Sequence, residues 1–329
     1  MSRSAPIADS VTVSAPARLH LGFMDLNGGL GRRFGGMGLA LKELGTTISI
    51  KASTHTKVEG PDHERARGYI ESMRRQLRLN ADYHLVVEEA VPAHAGLGSG
   101  TQLALAVAAG VRRLHDLSLD VAGDAIHLGR GLRSGTGIGL FTRGGLVVDG
   151  GRGAGDAPAP IICHMPVPDS WGVLVLLDPA RQGLHGPEEV VAFAALAPFP
   201  AEEAARLCRL VMMKLLPSLA QRDLAGFGEA INELQTRLGD YYAPVQGGHR
   251  FTSPAVAAAL TLLEREGAVG IGQSSWGPTG FAFAPSRAEA TRLAALIRQR
   301  AESRGLDIRV CAALNRGADI KVRTIRRVG

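Results

Sequence analysis

Residues 93–107, AHAGLGSGTQLALAV, place a glycine-rich turn directly before an apolar run of helical character. Gly96, Gly98 and Gly100 let the backbone turn tightly and approach a ligand without interference from a Cβ atom. Ser99 can cap the helix that follows, whose free N–H groups and positive dipole end favour an anion such as phosphate. A tight turn from strand to helix would use the same glycines without any ligand, so this turn alone does not establish a phosphate site.

Three other segments combine glycines with polar side chains, which favours a shared ligand site over a series of unrelated turns. They are PARLHLGFMDLNGGLGRRFGGMGLAL (16–41), GLRSGTGIGLFTRGGLVVDGG (131–151) and GIGQSSWGPTGFAFA (270–284). The first contributes Arg18, His20, Asp25 and Asn27. The third contributes a polar turn between two apolar strands, formed by Gln273, Ser274, Ser275, Trp276 and Thr279.

The pattern of apolar residues predicts an α+β chain with two domains. Alternating or β-branched segments predict strands at 11–14, 46–52 and 82–91, and a charged segment predicts a helix over 62–79. The helix that begins near Gly100 is apolar nearly all round, so we expect it to be buried. After the loop-like stretch 150–161, helices alternate with antiparallel strands, which is typical of a two-layer sandwich. We therefore expect domains at 1–160 and 161–329.

Composition limits the kinds of partner. Lys and Arg exceed Asp and Glu by 37 − 31 = 6, and these charges are scattered without a run of one sign. The chain has only two Trp and four Tyr, and so few aromatic side chains on which nucleic-acid bases could stack. We therefore expect no nucleic-acid partner. The three cysteines are far apart, which predicts neither a disulfide framework nor a thiolate zinc site. No segment resembles a secretory signal or a bilayer span, so we expect a cytoplasmic protein without a membrane partner.

In their order and spacing, the glycine-rich segments resemble those of the GHMP kinase superfamily, which includes galactokinase and the homoserine and mevalonate kinases. The resemblance covers nearly the whole chain. It implies a ribosomal S5 domain 2-like N-terminal domain followed by a ferredoxin-like C-terminal domain. Two positions depart from the kinases. Gly100 stands where they have a second serine that helps to hold Mg²⁺, and Gly137 stands where many have the aspartate that orients or deprotonates the attacking hydroxyl.

The same departures mark one branch of that superfamily, the β-ribofuranosylaminobenzene 5′-phosphate synthase family. Four segments resemble its signatures: Arg18–His20 with Asp25–Gly28, Gly96–Ala106, Ser134–Gly139 and Gly272–Thr279. The last, GQSSWGPT, is long and unusual in composition, which makes the match specific. The stretch Arg32-Arg33-Phe34 is bulkier and more basic than the resemblance leads us to expect.

The resemblance implies a decarboxylating phosphoribosyltransferase. Such an enzyme joins 4-aminobenzoate to 5-phosphoribosyl 1-pyrophosphate with Mg²⁺ and releases CO₂ and pyrophosphate, in an early step of methanopterin biosynthesis. The para-amino group makes the carboxylate-bearing ring carbon nucleophilic, and loss of CO₂ after its attack restores aromaticity. No hydroxyl has to be deprotonated, which accounts for the absent base. Relatives also lead us to expect a homodimer.

Resemblance and residue chemistry together give a candidate site. We expect catalytic roles for Arg18, His20 and Asp25. Donor phosphates are expected at Gly96, Leu97, Gly98, Ser99, Gly100, Thr101, Gln102, Arg133, Ser134 and Gly135. Acceptor binding is expected at Asn27, Gln273, Ser274, Ser275, Trp276 and Thr279. We expect no dedicated metal site: Mg²⁺ would arrive on the substrate and touch at most Ser99 or Thr101.

Structural roles stay open for several of these residues. They are an Asx turn for Asp25, a hydrogen-bonded structural position for His20, a core position for Trp276, a cap or buried hydroxyl for Ser99 and Thr101, and a solvated helix end for Arg133. Residues 185–188 follow an apolar strand and could border the site or form a plain loop.

Two other function classes stay open on the sequence alone. An ATP-dependent small-molecule kinase would turn over ATP and would need a mechanism without a base at Gly137. A catalytically silent nucleic-acid-binding protein is suggested by the isoelectric point of about 9.6. It would leave the polar glycine turns without a purpose, and it predicts binding that weakens steeply with salt.

Overall fold

The computed structural model describes residues 6–184 and 186–324. Its strands are β1 (Ser10–Asp25), β2 (Phe34–Ser53), β3 (Lys57–Glu59), β4 (Asp82–Glu89), β5 (Leu146–Asp149), β6 (Ile161–Met165), β7 (Gly172–Leu177), β8 (Val269–Gln273), β9 (Gly280–Ala284), β10 (Asp307–Cys311) and β11 (Asp319–Arg323). Together with the helices they confirm the predicted α+β class.

The helices are α1 (His63–Leu77), α2 (Ser99–Leu114), α3 (Val121–His127), α4 (Thr136–Arg143), α5 (Gly186–Ala195), α6 (Ala201–Leu210), α7 (Leu216–Ala220), α8 (Leu224–Tyr242), α9 (Pro254–Arg265) and α10 (Arg287–Arg298). A π-helical turn over Val211–Leu215 joins α6 to α7, and short 3₁₀ turns cover Ala243–Val245 and Ala301–Ser303. In the part of the chain that is described, no helix is both long and apolar enough to cross a bilayer.

Two long antiparallel strands form the centre of the first sheet. β1 pairs with β2 from Val11–Ile50 to Asp25–Phe34, so the first glycine-rich segment lies mainly on paired strands. The sequence predicted strands only at 11–14 and 46–52, because polar residues and glycines interrupt the apolar alternation beyond them. The register shifts between His20 and Gly22, and such a bulge redirects the side chains next to it.

The helix that follows the glycine turn is buried, as its sequence predicts. Thirteen of the 16 residues of α2 are buried between the first sheet, α1, α3 and α4. Apolar side chains on every face of a helix require partners on every face, and this placement supplies them. The N-terminus of α2 is thereby fixed at the edge of the sheet, where the glycine turn opens.

The first sheet takes in more of the chain than the predicted division at residue 160. Its order is β11-β1-β2-β4-β3, with β5 paired to β2 and β6 paired to β5. Both β6 and β11 therefore belong to it, although each lies in the segment 161–329 that we expected to form the second domain. β11 pairs with β1 from the opposite end of the chain, which leaves no local signal, whereas β6 pairs with β5 across the loop-like stretch at which we placed the boundary.

The second sheet, ordered β10-β7-β9-β8, is antiparallel throughout and shares a core with the first. One hydrophobic cluster contains Leu19 and Leu39 of the first sheet, Leu234 of α8, and Phe281 of the second sheet. The strand β1 approaches α8 so closely at Gly22 that a Cβ there would lie 2.6 Å from a methyl of Leu234. This contact brings the bulge of β1 next to the end of α8.

A buried ion pair fixes the far end of α2. Arg112 donates from Nε to Asp124 Oδ2 at 2.6 Å and from Nη2 to Oδ1 at 2.7 Å, and both residues are buried. We expect Asp124→Ala to lower the free energy of unfolding by about 3 kcal/mol, since it leaves a buried guanidinium without its main partner. Urea unfolding of Glu229→Ala, which breaks an exposed pair with Lys214, is the control and should change little. Equal effects of the two variants would contradict this.

Candidate active site

A cleft of about 510 Å³ lies over the N-terminus of α2. Its walls come from the bulge of β1, the glycine turn, the loop over 129–134, the start of α5, and the turn between β8 and β9. Each of the four glycine-rich segments therefore contributes some of its residues to the walls of this cleft. The predicted residues that line the cleft are Arg18, His20, Gly96, Gly98, Ser99, Gly100, Thr101, Arg133, Ser134, Ser275 and Trp276.

The glycines at 96 and 98 allow other motifs to pack against the turn. Both have positive φ, 82° and 73°, and Gly98 immediately precedes α2. A Cβ on Gly96 would collide with the carbonyl oxygen of Ser274, and one on Gly98 would lie 3.0 Å from Cβ of Arg18. The absence of side chains thus serves close contact within the protein as well as access for a ligand.

Two guanidinium groups occupy the space beside Gly100. A Cβ at this position would lie 2.7 Å from Nη2 of Arg65 and 3.0 Å from Nη1 of Arg130. Tyr69 supports Arg130, because its hydroxyl accepts from Nη2 of Arg130 at 2.6 Å and donates to the carbonyl of Gly100 at 3.4 Å. Arg65 forms an ion pair with Asp62 at 3.1 Å. Neither arginine was predicted, since each is one of several basic residues in an ordinary-looking segment: Arg65 lies two residues before Arg67, and Arg130 lies three before Arg133.

Arg18 lines the cleft and is partly buried, with its Nε fully buried. Its Nε meets no hydrogen-bond acceptor among the described residues, and its backbone N–H donates to the carbonyl of Leu97 at 3.0 Å. Burial lowers the pKa of Arg18, and the charges of Glu189 and Asp149 partly offset this. A buried cation with an unused donor is suited to hold an anionic group of a ligand.

His20 is buried beside Arg18, and its Nε2 also has no hydrogen-bond partner among the described residues. Burial, followed by the positive charge of Arg18, lowers the pKa of His20 well below its ordinary value of 6.5. The ring is therefore neutral at pH 7. It packs edge-on against Phe23, with ring centroids 4.5 Å apart.

The hydroxyl of Ser274 joins three of the motifs. It accepts from the backbone N–H of His20 at 2.9 Å and donates to the carbonyl of Gly96 at 2.9 Å. Its predicted role was acceptor binding, and the structure gives it instead the position of a link between β1, the glycine turn and the second sheet.

A buried carboxylate that the sequence analysis missed orders the segment around Ser134. Asp149 accepts from the backbone N–H groups of Gly36, Gly135 and Gly151, each at 2.9 Å, and from the hydroxyl of Ser134 at 2.7 Å. Gly135 is therefore held beneath the cleft without lining it. Asp149 is the last residue of β5 and is followed by two glycines. Many ordinary turns have this sequence, so nothing nearby in the chain indicated the role of Asp149.

Glu189 of α5 organises the outer wall. It forms an ion pair with Arg133 and accepts from Nε1 of Trp276 at 3.0 Å. Arg133 also lies over the ring of Phe193, at 5.7 Å from its centroid. Of the segment 185–188, for which the sequence left open a place at the border of the site or a plain loop, Gly186 lines the cleft, and His185 lies outside the described residues.

Comparison with known proteins decides the family. The chain matches the GHMP kinases N terminal domain over residues 64–144 and the GHMP kinases C terminal model over residues 215–302. It is 35% identical to a β-ribofuranosylphenol 5′-phosphate synthase of Archaeoglobus fulgidus, with 93% of this chain and 98% of that protein covered. The synthase of the same name from Methanothermobacter thermautotrophicus is 32% identical, with 81% and 86% covered. The chain belongs to the β-ribofuranosylphenol 5′-phosphate synthase family.

Solved structures confirm the expected GHMP-kinase-like fold of this family member. Homoserine kinase from Cytophaga hutchinsonii superposes with a TM-score of 0.68 at 16% identity and covers 98% of this chain and 100% of its own. Mevalonate diphosphate decarboxylase from Staphylococcus aureus gives 0.65 at 13% identity, with 95% and 98% covered. The chain is accordingly a transferase-type enzyme by family, with a fold shared with kinases.

Several predicted site residues lie outside the cleft of this synthase-family chain. Asp25 accepts from the N–H groups of Asn27 and Gly28, at 2.8 and 2.9 Å, and so forms the Asx turn that was the alternative. Asn27 donates to the carbonyl of Phe199 at 2.6 Å. Behind the walls of the cleft lie the buried residues Leu97, Gln102, Ser274 and Thr279. Trp276 is buried, as the core alternative predicts, and also lines the cleft.

Because His20 is neutral when folded, acid should destabilise the protein through it. Below pH 6.5 a histidine in the unfolded chain binds a proton, whereas folded His20 stays neutral. Well below pH 6.5, the free energy of unfolding therefore falls by about 1.4 kcal/mol per pH unit until the pKa of folded His20 is reached. We expect the stability of the wild type relative to His20→Asn to fall by about 1 kcal/mol between pH 6.5 and 5.5, since the unfolded histidine is already half protonated at pH 6.5, and to stay constant above pH 7.5. Urea unfolding at several pH values measures it. A difference that does not change with pH would contradict the neutral, buried state.

Proposed function

We propose that this chain transfers the phosphoribosyl group of 5-phosphoribosyl 1-pyrophosphate to the carboxylate-bearing carbon of a para-substituted benzoate. The resemblance of its motifs implies 4-aminobenzoate as the acceptor, and the relatives are named for a phenol product, which corresponds to 4-hydroxybenzoate. Both acids carry a group that releases electrons into the ring. The products are a β-ribofuranosyl arene 5′-phosphate, CO₂ and pyrophosphate.

The placement of Arg65 and Arg130 beside Gly100 is the observation that carries this proposal. A kinase of this fold needs a serine there to help hold Mg²⁺, and here two guanidinium groups fill the space. Arg18 and Arg133 line the same cleft, so four arginines surround the N-terminus of α2. Such a surface is suited to a ligand with several phosphate groups and to the charge that develops on departing pyrophosphate.

The packing of α4 also argues against phosphoryl transfer with an aspartate base. A Cβ at Gly137 would lie 2.9 Å from a methyl of Thr101, and the carbonyl of Gly137 accepts from Nε2 of Gln102 at 3.0 Å. α4 is thus too close to α2 for a side chain at that position. Among the described residues lining the cleft, Glu189 is the one carboxylate, and it is already bonded to Arg133 and Trp276.

The proposed reaction needs no base. The ring carbon forms a bond to the anomeric carbon while the bond to pyrophosphate breaks, and pyrophosphate leaves with the electron pair. The bond to the carboxylate then breaks, its electrons return to the ring, and CO₂ departs. Arg18 and the arginines at Gly100 would hold the phosphate groups, and neutral His20 can donate or accept a hydrogen bond without adding charge near the ring.

Magnesium fits this site as an ion carried by the donor. The described part of the chain contains no group of three or more His, Cys, Asp or Glu side chains placed to hold a metal. The hydroxyls of Ser99 and Thr101 line the cleft and would be the protein ligands that a phosphate-bound Mg²⁺ meets. Such an ion would neutralise charge on the pyrophosphate as it leaves.

The reaction is tested with purified protein, Mg²⁺, phosphoribosyl pyrophosphate and carboxyl-labelled 4-aminobenzoate or 4-hydroxybenzoate. We expect labelled CO₂ in an amount equal to the pyrophosphate formed, and only when the donor is present. A parallel reaction holds ATP and an alcohol in place of the donor. ADP formation there, with no CO₂ from either acid, would refute the transferase and restore the kinase.

The arginines beside Gly100 should control donor binding. We expect Arg65→Gln and Arg130→Gln each to raise the KM for phosphoribosyl pyrophosphate about 10- to 100-fold, as for loss of one charged hydrogen bond. The KM for the acceptor should change far less. Arg67→Gln, two residues along the same helix and exposed, is the matched control. A donor KM that is unchanged in both cleft variants would contradict this assignment.

A further inference from the structure

Glu189 is the one carboxylate among the described residues that line the cleft. Its side chain keeps 17% of its surface exposed, so a ligand in the cleft can touch it. Two other carboxylates are close to the cleft without lining it. Asp62 forms an ion pair with Arg65, and Asp149 is fully buried and bonded to backbone N–H groups. A ligand in the cleft therefore meets negative charge at Glu189.

Contacts on two sides hold the carboxylate of Glu189 in place. It accepts from Nε1 of Trp276 at 3.0 Å and forms an ion pair with Arg133. Trp276 is buried, and Phe193 of α5 packs against its ring with centroids 5.0 Å apart. A charged group that is fixed in advance needs no rearrangement when an opposite charge develops beside it, and such groups are effective in electrostatic catalysis.

A carboxylate is an unfavourable side chain for a cleft that binds anions. Glu189 repels the phosphate groups of a ligand, and its ion pair with Arg133 competes with them for that guanidinium. Its negative charge also acts on Arg18, which lines the same cleft. For binding of the donor alone, a neutral side chain at this position would serve better. The charge of Glu189 therefore suits a step after binding.

The proposed reaction contains such a step, and the inference rests on that proposed function. As the bond between the anomeric carbon and the pyrophosphate oxygen breaks, pyrophosphate takes the electron pair. The ring oxygen of the ribosyl group then shares a lone pair with the anomeric carbon. The ribosyl ring is therefore positively charged in the transition state, as it is in glycoside hydrolysis. Arginines around the ring disfavour this charge, whereas a carboxylate stabilises it.

The arginines of the cleft form two groups, and the ribosyl ring belongs between them. Arg65 and Arg130 stand beside the start of α2. Arg18 and Arg133 stand on the side of Glu189. The donor carries pyrophosphate at one end of its ribosyl group and a phosphate at the other. With one anionic end at each group of arginines, the ribosyl ring lies between them and within reach of Glu189.

We propose that Glu189 is a catalytic residue whose carboxylate contacts the ribosyl ring and stabilises the positive charge that develops there. The ribosyl ring of the bound donor is uncharged, so this interaction is stronger in the transition state than in the bound substrate and raises kcat. Glu189 neither takes nor gives a proton. The acid's ring carbon forms the new bond to the anomeric carbon, which removes the positive charge from the ribosyl ring, and CO₂ then leaves its electron pair to the aromatic ring.

The test compares Glu189→Gln with Glu188→Gln. Glu188 is the preceding residue of α5; it is exposed and does not line the cleft, so its substitution removes the same charge elsewhere. The kcat of labelled CO₂ release is measured at saturating donor and acceptor, and binding of phosphoribosyl pyrophosphate by titration calorimetry without acceptor. We expect Glu189→Gln to lower kcat about 100-fold, as for loss of one fixed electrostatic contact. It should bind the donor at least as tightly as the wild type, because a negative charge has left the cleft.

We expect Glu188→Gln to match the wild type in both measurements. Weaker donor binding in Glu189→Gln, with or without a lower kcat, would mean that Glu189 acts by holding Arg133 in place, and would overturn the inference. An unchanged kcat in Glu189→Gln, with CO₂ release by the wild type, refutes this assignment and leaves the proposed function intact. A wild type that releases no CO₂ refutes the proposed function itself.

Discussion

The hydroxyl of Ser274 is the contact on which the arrangement of the site depends. By accepting from the N–H of His20 and donating to the carbonyl of Gly96, it joins the bulge of β1, the glycine turn and the turn after β8. The two bonds join residues that are 254 and 178 positions apart in sequence. Gly96 allows this approach, because any side chain there would collide with Ser274. The orientation of His20 and Arg18 towards one cleft follows from that junction.

Glycines at two other positions define what the cleft can do. At Gly100 the missing side chain gives room to the guanidinium groups of Arg65 and Arg130, and at Gly137 it lets α4 pack on Thr101. The kinases of this superfamily have a serine at the first position and, in many of them, an aspartate at the second. A serine at the first would displace the ends of the Arg65 and Arg130 side chains, and an aspartate at the second would require Thr101 to move. The fold of a kinase is thereby combined with a cleft whose charge suits a leaving pyrophosphate.

The pattern of apolar residues and glycines within single segments was enough to predict those features of the fold that depend on neighbouring residues alone. The all-round apolar character of α2 predicted its burial, and the glycine turn predicted an exposed helix N-terminus beside the cleft. The strand β11 could not be assigned to the first sheet, because its pairing with β1 depends on contacts across the whole chain. The length of β1 and β2 was underestimated for a related reason, since their glycines and bulges are stabilised by neighbouring elements.

The residues of the candidate site likewise fall into those that local sequence indicates and those that depend on distant contacts. Residues within motifs, such as Arg18, His20 and Ser99, were found from the sequence and do line the cleft, whereas Asp25 and Asn27 close a nearby turn. Arg65, Arg130, Asp149 and Glu189 were missed, because each is ordinary in its own segment and gains importance through a distant partner.

We propose that the cleft over α2 binds phosphoribosyl pyrophosphate and not ATP. Titration calorimetry of the wild type with each ligand and Mg²⁺ tests this most directly. We expect saturable binding of phosphoribosyl pyrophosphate at one site per chain, with ATP binding at least tenfold more weakly, the loss expected for one poorly matched charged contact. Tight binding of ATP together with no binding of phosphoribosyl pyrophosphate would contradict it.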